Sequence, residues 1–335
     1  LQQPGPGSRL RGDGRGHLPH GGPGFDLQQA LHAHRAGLCD APQVVAQQVH
    51  DHHVFGPLLG AGPQLLAGGL VVGRIAGARR RGYTAAGFKL FTDRIGVSKA
   101  DSWIEYTILE DCMREVLNID AERRIAVLDP VKLVIDNYPE GQSEDCFAPN
   151  HPLKPELGKR TVQLSKELWI EREDFMEEPS KGFFRLTPGG MVRLRYGYVV
   201  KCTGCEKDAN GNVTVVHCEY LPETKSGTPG SDSVKVKGNI HWVSAAHAYE
   251  CEIRLYDRLF KEANPGSGDR DFLEDINPDS VQVITAQLEQ ILQDAKPEES
   301  FQFERHGYFV ADRKDSVAGK PVFNRTVTLR DAWQK

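Results

Sequence analysis

From Val131 to Leu329 the sequence is a succession of short runs in which β-branched, aromatic and alternating apolar residues are cut off by Gly, Pro, Asn or Asp. "VKLVIDNY", "TVQLSKELWIE", "MVRLRYGYVVKC", "NVTVVHCEY", "VKGNIHWVSA", "CEIRLYDRLF", "SFQFERHGYFVA" and "PVFNRTVTL" each have the length and residue types of a strand. "KDANGNVT", with Asn210-Gly211 at its centre, joins two of them as a hairpin signal, because Asn and Gly accept the left-handed backbone that such turns need. Short strands at this spacing predict antiparallel barrels or sandwiches, a mainly-β fold. "DSVQVITAQLEQILQ", Asp279 to Gln293, fits strand and helix equally well.

A small helical unit precedes the strands. "YTAAGFKLFTDRIG" reads as a helix with Thr84 as N-cap and Gly96 as its stop. "KADSWIEYTILEDCMREVLN" reads as a second, with Ile104, Ile108, Leu109, Cys112, Met113 and Val116 at helical spacing. The chain changes character before these helices. Residues 1–88 contain no Lys and no Glu, whereas residues 89–335 contain 17 Lys and 23 Glu. Residues 1–73 are a low-complexity mixture of Gly, Pro, Ala, Gln, His and Leu, and we expect them to be disordered or non-native, a wrong-frame or misjoined translation. The expected division is 1–73 low-complexity, 74–124 helical connecting subdomain and 125–335 two interleaved barrels.

Charge and motifs narrow the function. The net charge is −5, and it is −9 over residues 89–335, so a general basic footprint for nucleic acid is absent and any RNA contact must come from locally placed side chains. No run is long and apolar enough for a membrane span, and seven scattered cysteines suit reduced thiols. His32, His34, His50, His52 and His53 lack a metal-site spacing, and "GAGPQLLAGG" matches no phosphate loop. Cys202 and Cys205 with His217 and Cys218 form the sharpest zinc candidate. Adjacent strand residues point to opposite faces, however, so at most three of these ligands converge, and small residues at a strand end are the favoured reading. His241 and His247 read as hydrogen-bonded structural histidines. No catalytic constellation stands in a convincing context, and a binding role is expected.

From about Arg74 to Lys335 the chain closely resembles the C-terminal part of bacterial-type glutaminyl-tRNA synthetases. The matching words are "RRRGYTAAGF", "AVLDPVKLVIDNYPEGQ", "NHPLKPELGKRTVQLS", "KGNIHWVSAAHA", "EIRLYDRLF", "FQFERHGYF" and "PVFNRTVTLRDAW". The resemblance implies a class I aminoacyl-tRNA synthetase, a cytoplasmic and monomeric glutamine-tRNA ligase. What is present looks like the helical connector and two anticodon-binding β-barrels. It implies tRNA(Gln) as partner, with ATP, Mg and glutamine handled by a catalytic domain whose HIGH-type and KMSKS-type motifs do not occur here, so the chain alone is expected to be inactive. Residue by residue it implies anticodon contacts from Arg123, Arg185, Arg193, Arg195, Gln302 and Arg305, and tRNA-backbone contacts from Arg79, Arg80 and Arg81. Gly182 and Phe184 depart from the family's polar pattern, which leaves two contacts absent or replaced by stacking.

Arginine suits this task on chemical grounds, since its planar fork donates to base edges and phosphates and also stacks on bases. On a continuous strand Arg193 and Arg195 would share one face, about 6.6 to 6.8 Å apart, with Leu194, Tyr196 and Tyr198 turned into the barrel. Arg185, before the Pro188-Gly189-Gly190 turn, would supply a third donor. Two other readings stay open at this point: a free-standing RNA-binding module acting in trans, and a zinc-stabilised β-protein without RNA function.

Overall fold

The computed structural model describes residues 69–96, 104–262, 265–267 and 271–330. The histidine-rich and glycine-rich stretches of residues 1–68 lie outside the described residues, as does the sequence-predicted start of the second helix. Three helices open the described part: α1 (Gly69–Arg80), α2 (Ala85–Ile95) and α3 (Tyr106–Asp120). The first begins inside the stretch read as low-complexity. The second is capped as expected: the Thr84 side chain accepts from Gly87 N at 3.0 Å, and Gly96 closes the helix at φ 69°. Leu109, Cys112, Met113 and Leu117 form the buried stripe of α3, which packs with Phe91 and Tyr83 onto Tyr308 and Val327.

Two seven-stranded sheets follow, and both close on themselves by the same device. The first is ordered β10-β7-β8-β9-β3-β6-β11, from β3 (Pro130–Ile135), β6 (Glu167–Glu171), β7 (Met191–Leu194), β8 (Val199–Lys207), β9 (Val213–Tyr220), β10 (Gly238–Ile240) and β11 (Trp242–Ser244). Its two edges, β10 and β11, are one chain segment interrupted only at His241. The second is ordered β1-β14-β15-β16-β12-β13-β2, from β1 (Glu122–Arg124), β2 (Ala126–Val127), β12 (Tyr249–Tyr256), β13 (Val281–Leu288), β14 (Ser300–Phe303), β15 (Gly307–Ala311) and β16 (Phe323–Thr328). Here β1 and β2 are interrupted only at Ile125. Each sheet therefore has its edge strands joined through a single residue, which brings it close to a closed barrel and leaves little open edge.

The first barrel is inserted between β2 and β12 of the second. A further ribbon of β4 (Ser143–Pro149) and β5 (Lys159–Ser165) pairs antiparallel beside them. Most pairings are antiparallel, but β1 with β14, β7 with β10, β3 with β9 and β12 with β16 run parallel. The first core gathers Leu133, Leu164, Leu168, Leu194 and Trp242; the second is built on Phe301, Phe303, Phe309 and Phe323, with the Phe303 and Phe309 rings stacked at 4.3 Å. A third cluster, Ile125, Val127 and Val243 with Trp169 and Tyr196, lies where the closing segments of the two barrels face each other.

The strand reading holds with informative breaks. "NVTVVHCEY" is β9, and the Asn210-Gly211 stretch is the predicted hairpin, where Asp208 accepts from Asn210 N and Asn212 N, and Gly211 has φ 84°. The segment from Asp279 resolves into β13 followed by a short 3-10 turn, Gln290–Asp294. "MVRLRYGYVVKC" is a correction. It is not one strand: β7 ends at Leu194 and the chain turns through Arg195, Tyr196 and Gly197, held by hydrogen bonds from Leu194 N to Tyr198 O and from Gly197 N to Leu194 O. Arg193 and Arg195 therefore do not share a strand face, although Leu194 and Tyr198 are buried as expected.

Candidate nucleic-acid interface

Two tight turns, one from each barrel, meet at the junction. The β7–β8 turn carries Tyr196 at φ 64° and the β14–β15 turn carries Arg305 at φ 74°. Left-handed backbone is costly for bulky side chains, and among the described residues only Glu298 shares it outside glycine, so both turns must be held by their surroundings. Tyr196 donates its hydroxyl to Glu304 Oε1 at 3.0 Å, and the Arg195 guanidinium pairs with the other Glu304 oxygen while lying 5.0 Å from the Tyr196 ring. Trp242 Nε1 donates to Arg195 O at 2.9 Å.

Beyond the turn, Arg305 reaches back to the first barrel. Its Nη1 and Nη2 donate to Asp174 Oδ2 and Oδ1 at 2.6 and 2.7 Å, a bidentate pair with a carboxylate that is fully buried. Arg185 meets the same carboxylate, Nε to Oδ1 at 3.2 Å. Glu173 Oε1 joins the two arginines, 2.8 Å from Arg185 Nη1 and 3.0 Å from Arg305 Nη2. Two residues expected to contact one RNA loop are thus brought together from different barrels, 120 positions apart in sequence.

Behind them, Glu171 ties the barrels through His306 Nε2 at 2.9 Å and His241 Nε2 at 3.5 Å, and accepts from Leu128 N and Asp129 N at 2.6 and 3.0 Å. Burial alone would push the Glu171 carboxyl up. The hydrogen bonds from His241 and His306 outweigh burial and hold it well below the usual carboxylate range. Burial drives His241 the other way for a base, down, so it is neutral near neutral pH. Glu171, His241 and His306 have ligand atoms within 4.8 Å of one another, the spacing of a metal site. Yet Arg305 Nη1 lies 3.2 Å from His241 Nδ1 and can only donate to it, so the His241 proton is on Nε2, facing Glu171. A metal-ligating imidazole uses that second nitrogen to donate outward instead, and the group fits a hydrogen-bonded bridge.

The other anticipated contacts fall into separate places. Arg123 and Gln302 are register partners on β1 and β14. Arg123 is buried, its guanidinium donating to Ala121 O and to Asn118 O and Oδ1 at 2.5, 3.0 and 2.8 Å, while Gln302 Nε2 donates to the Tyr308 hydroxyl at 3.0 Å. Arg193 stands apart, donating to Thr224 O, Ser226 Oγ and Ser231 O, and so pins the loop after β9. In the run read as facing the tRNA backbone, Arg79 pairs with Glu298 at 2.7 Å and Arg80 with Asp312 and Asp315 at 2.8 and 2.5 Å. The Arg81 guanidinium lies over the Tyr83 and Tyr256 rings. These contacts dock α1 on the second barrel. Phe184 is exposed, with Lys237 Nζ 5.2 Å from its ring, and Gly182 takes φ 91°.

The zinc candidate divides as the strand alternation predicts. Cys202 and Cys218 are register partners buried in the first core, while His217 on the outer face is held by Asp136 at 2.9 Å and Glu206 at 3.0 Å. The hydrogen bond to Cys202, with burial, pushes the Cys218 thiol well up, which suits an inert core thiol. His247 lies 3.0 Å from Ser143 Oγ.

Residues 121–221 and 239–312 match two family models, each described as "tRNA synthetases class I (E and Q), anti-codon binding domain". Both barrels belong to this anticodon-binding family. The chain is also similar to "Glutamine--tRNA ligase" of Cupriavidus metallidurans, 67% identical over 261 residues, which covers 78% of this chain and 45% of that protein. The same-named proteins of Ralstonia nicotianae and Nitrosomonas europaea are 64% and 60% identical over the same length, again 78% of this chain and 45% and 47% of theirs. The chain spans about half the length of the curated relatives it matches. Among the described residues no helix is long and apolar enough to cross a membrane. Within the anticodon-binding barrels, sequence reasoning missed Glu171, Glu173, Asp174, Tyr196 and Glu304. Arg185 stands only 12 positions from Glu173, but the partners that join the barrels lie far along the chain, Arg305 being 131 positions from Asp174, and no local spacing signals such a pair.

Proposed function

We propose that the two barrels bind the anticodon loop of tRNA(Gln) as part of a glutamine-tRNA ligase. One observation carries this reading: Arg185 and Arg305, from different barrels, converge on one carboxylate pair while their side chains are still 36% and 24% exposed. Held guanidinium forks at a partly open junction are what unpaired bases need, since a fork fixed beforehand loses less freedom on binding. Phe184 offers a face on which a base can stack, a contact typical of single-stranded RNA sites. Glutamine, ATP and Mg would be held by a catalytic domain and not by these barrels. The reading carries with it a monomer working in the cytoplasm.

Filter binding of tRNA(Gln) beside anticodon-substituted transcripts tests the proposal. The intact loop should bind at least about fivefold more tightly, the yield of one good base contact at about 1 to 3 kcal/mol. Equal binding of all transcripts would overturn it. R305A should weaken the cognate complex by roughly 5- to 150-fold on the same scale. Glutaminylation with ATP should be absent for this chain and present when it is fused to a complete catalytic domain; activity in the short form would show the chemistry lies elsewhere.

A further inference from the structure

We propose that Glu173 is a specificity-determining residue at this junction, one whose exposed carboxylate turns the Arg185 fork, braced by Arg305 beside it, away from phosphates and towards base edges. The inference rests on the function proposed above and deepens it. Its basis is a local charge count. Two guanidinium groups face two carboxylates, Asp174 and Glu173, within 3.2 Å, so the cluster sums to zero. The two acids are not equivalent. Asp174 is fully buried and grips Arg305 with both oxygens, which fixes the fork. Glu173 is 65% exposed and touches both arginines through one oxygen, leaving its charge open to whatever approaches.

A phosphate arriving here gains little, because the positive charge is already compensated and the outermost anion is of its own sign. A base edge is neutral and needs only N–H donors. Arg185 keeps both N–H of its Nη2, which among the described residues has no hydrogen-bond partner, while its Nε and Nη1 are committed to Asp174 and Glu173. Phosphate contacts position RNA without reading it, so a junction that refuses them spends its donors on sequence. The negative balance of residues 89–335 acts in the same direction over a longer range.

The test is binding of tRNA(Gln) and an anticodon-substituted transcript by wild type, E173Q and E173D, across about 50 to 300 mM KCl. E173Q removes a charge from an exposed position and should unfold at the wild-type temperature. It should bind the substituted transcript more tightly and steepen its salt dependence by about 0.7 in log–log slope, the signature of one added phosphate on a single strand. The cognate-to-substituted ratio should fall roughly three- to tenfold, because the new phosphate contact is gained where the fork has no base edge to read, whereas in the cognate complex the fork is already spent on a base. E173D keeps the charge and should hold the wild-type ratio within about twofold. An E173Q protein with the wild-type ratio and slope overturns the inference, as does E173D behaving like E173Q. Loss of cognate binding with no change in slope also overturns it, since that is what a merely structural role predicts. A wild type that does not discriminate among transcripts overturns the proposed function instead, and this inference with it.

Discussion

Asp174 is fully buried, yet it is stabilised as a charge because two guanidinium forks complete its hydrogen bonds. Nothing in the word "EREDF" announces this, since a carboxylate beside Glu173 reads as surface. Arg185 and Arg305, by contrast, were named beforehand, because the motif words that carry them resemble those of the family. At this scale the histidines set a pH response. His241 and His151 both have their affinity for protons lowered by burial, so their contribution to stability is present above about pH 6.5 and is lost as pH falls through their lower folded values. Glu171, also lowered, adds the same sign below about pH 4.3. His217 is raised by Asp136 and opposes them: its contribution is full below about pH 6.5 and is lost as pH rises through its higher folded value. Urea unfolding should therefore show stability falling as pH drops below about 6.5. H241N should flatten that slope by up to about 1.4 kcal/mol per pH unit, one proton's worth. An unchanged slope would remove His241 from the account.

At the scale of elements, hairpins written in Asn-Gly were readable and the β7–β8 turn was not. Asn210-Gly211 carries its own turn chemistry, whereas Tyr196 holds a left-handed backbone in a turn braced from the other barrel, where Glu304 receives its hydroxyl. The alternation "VRLRYGY" therefore promised a longer strand than the fold builds. A second element depends on close approach. Gly307 has φ 154° where β14 turns into β15, and a Cβ there would stand 2.4 Å from Val327 O on β16. G307A should destabilise by about 1 to 3 kcal/mol, since backbone must shift to admit the methyl. Chemical denaturation would measure it, and because the turn presents Arg305, the same variant should weaken tRNA(Gln) binding even where it remains folded.

At the scale of the whole described region, the barrels act through ion pairs buried between them. Arg160 on β5 grips Glu289 beside β13 with two bonds of 2.6 Å, and its Nη2 stands 3.7 Å from Glu304. Both partners are almost fully buried, so removing one leaves an uncompensated charge. R160M should cost about 3 to 5 kcal/mol, read as a fall in unfolding midpoint, and should loosen the β14–β15 turn that Glu304 begins. A loss below about 1 kcal/mol would mean that the pair behaves as a surface bridge.

The sequence by itself determined the mainly-β class, the capped helix after Thr84, the Asn-Gly hairpin and the likeness that pointed to anticodon binding, because periodicity, capping and motif wording are local. Only the tertiary structure decided that each sheet closes through one residue, Ile125 or His241, and that Arg185 and Arg305 share Asp174. Closure and charge pairing depend on where distant segments end up in space, and a guanidinium takes its meaning from the carboxylate it meets.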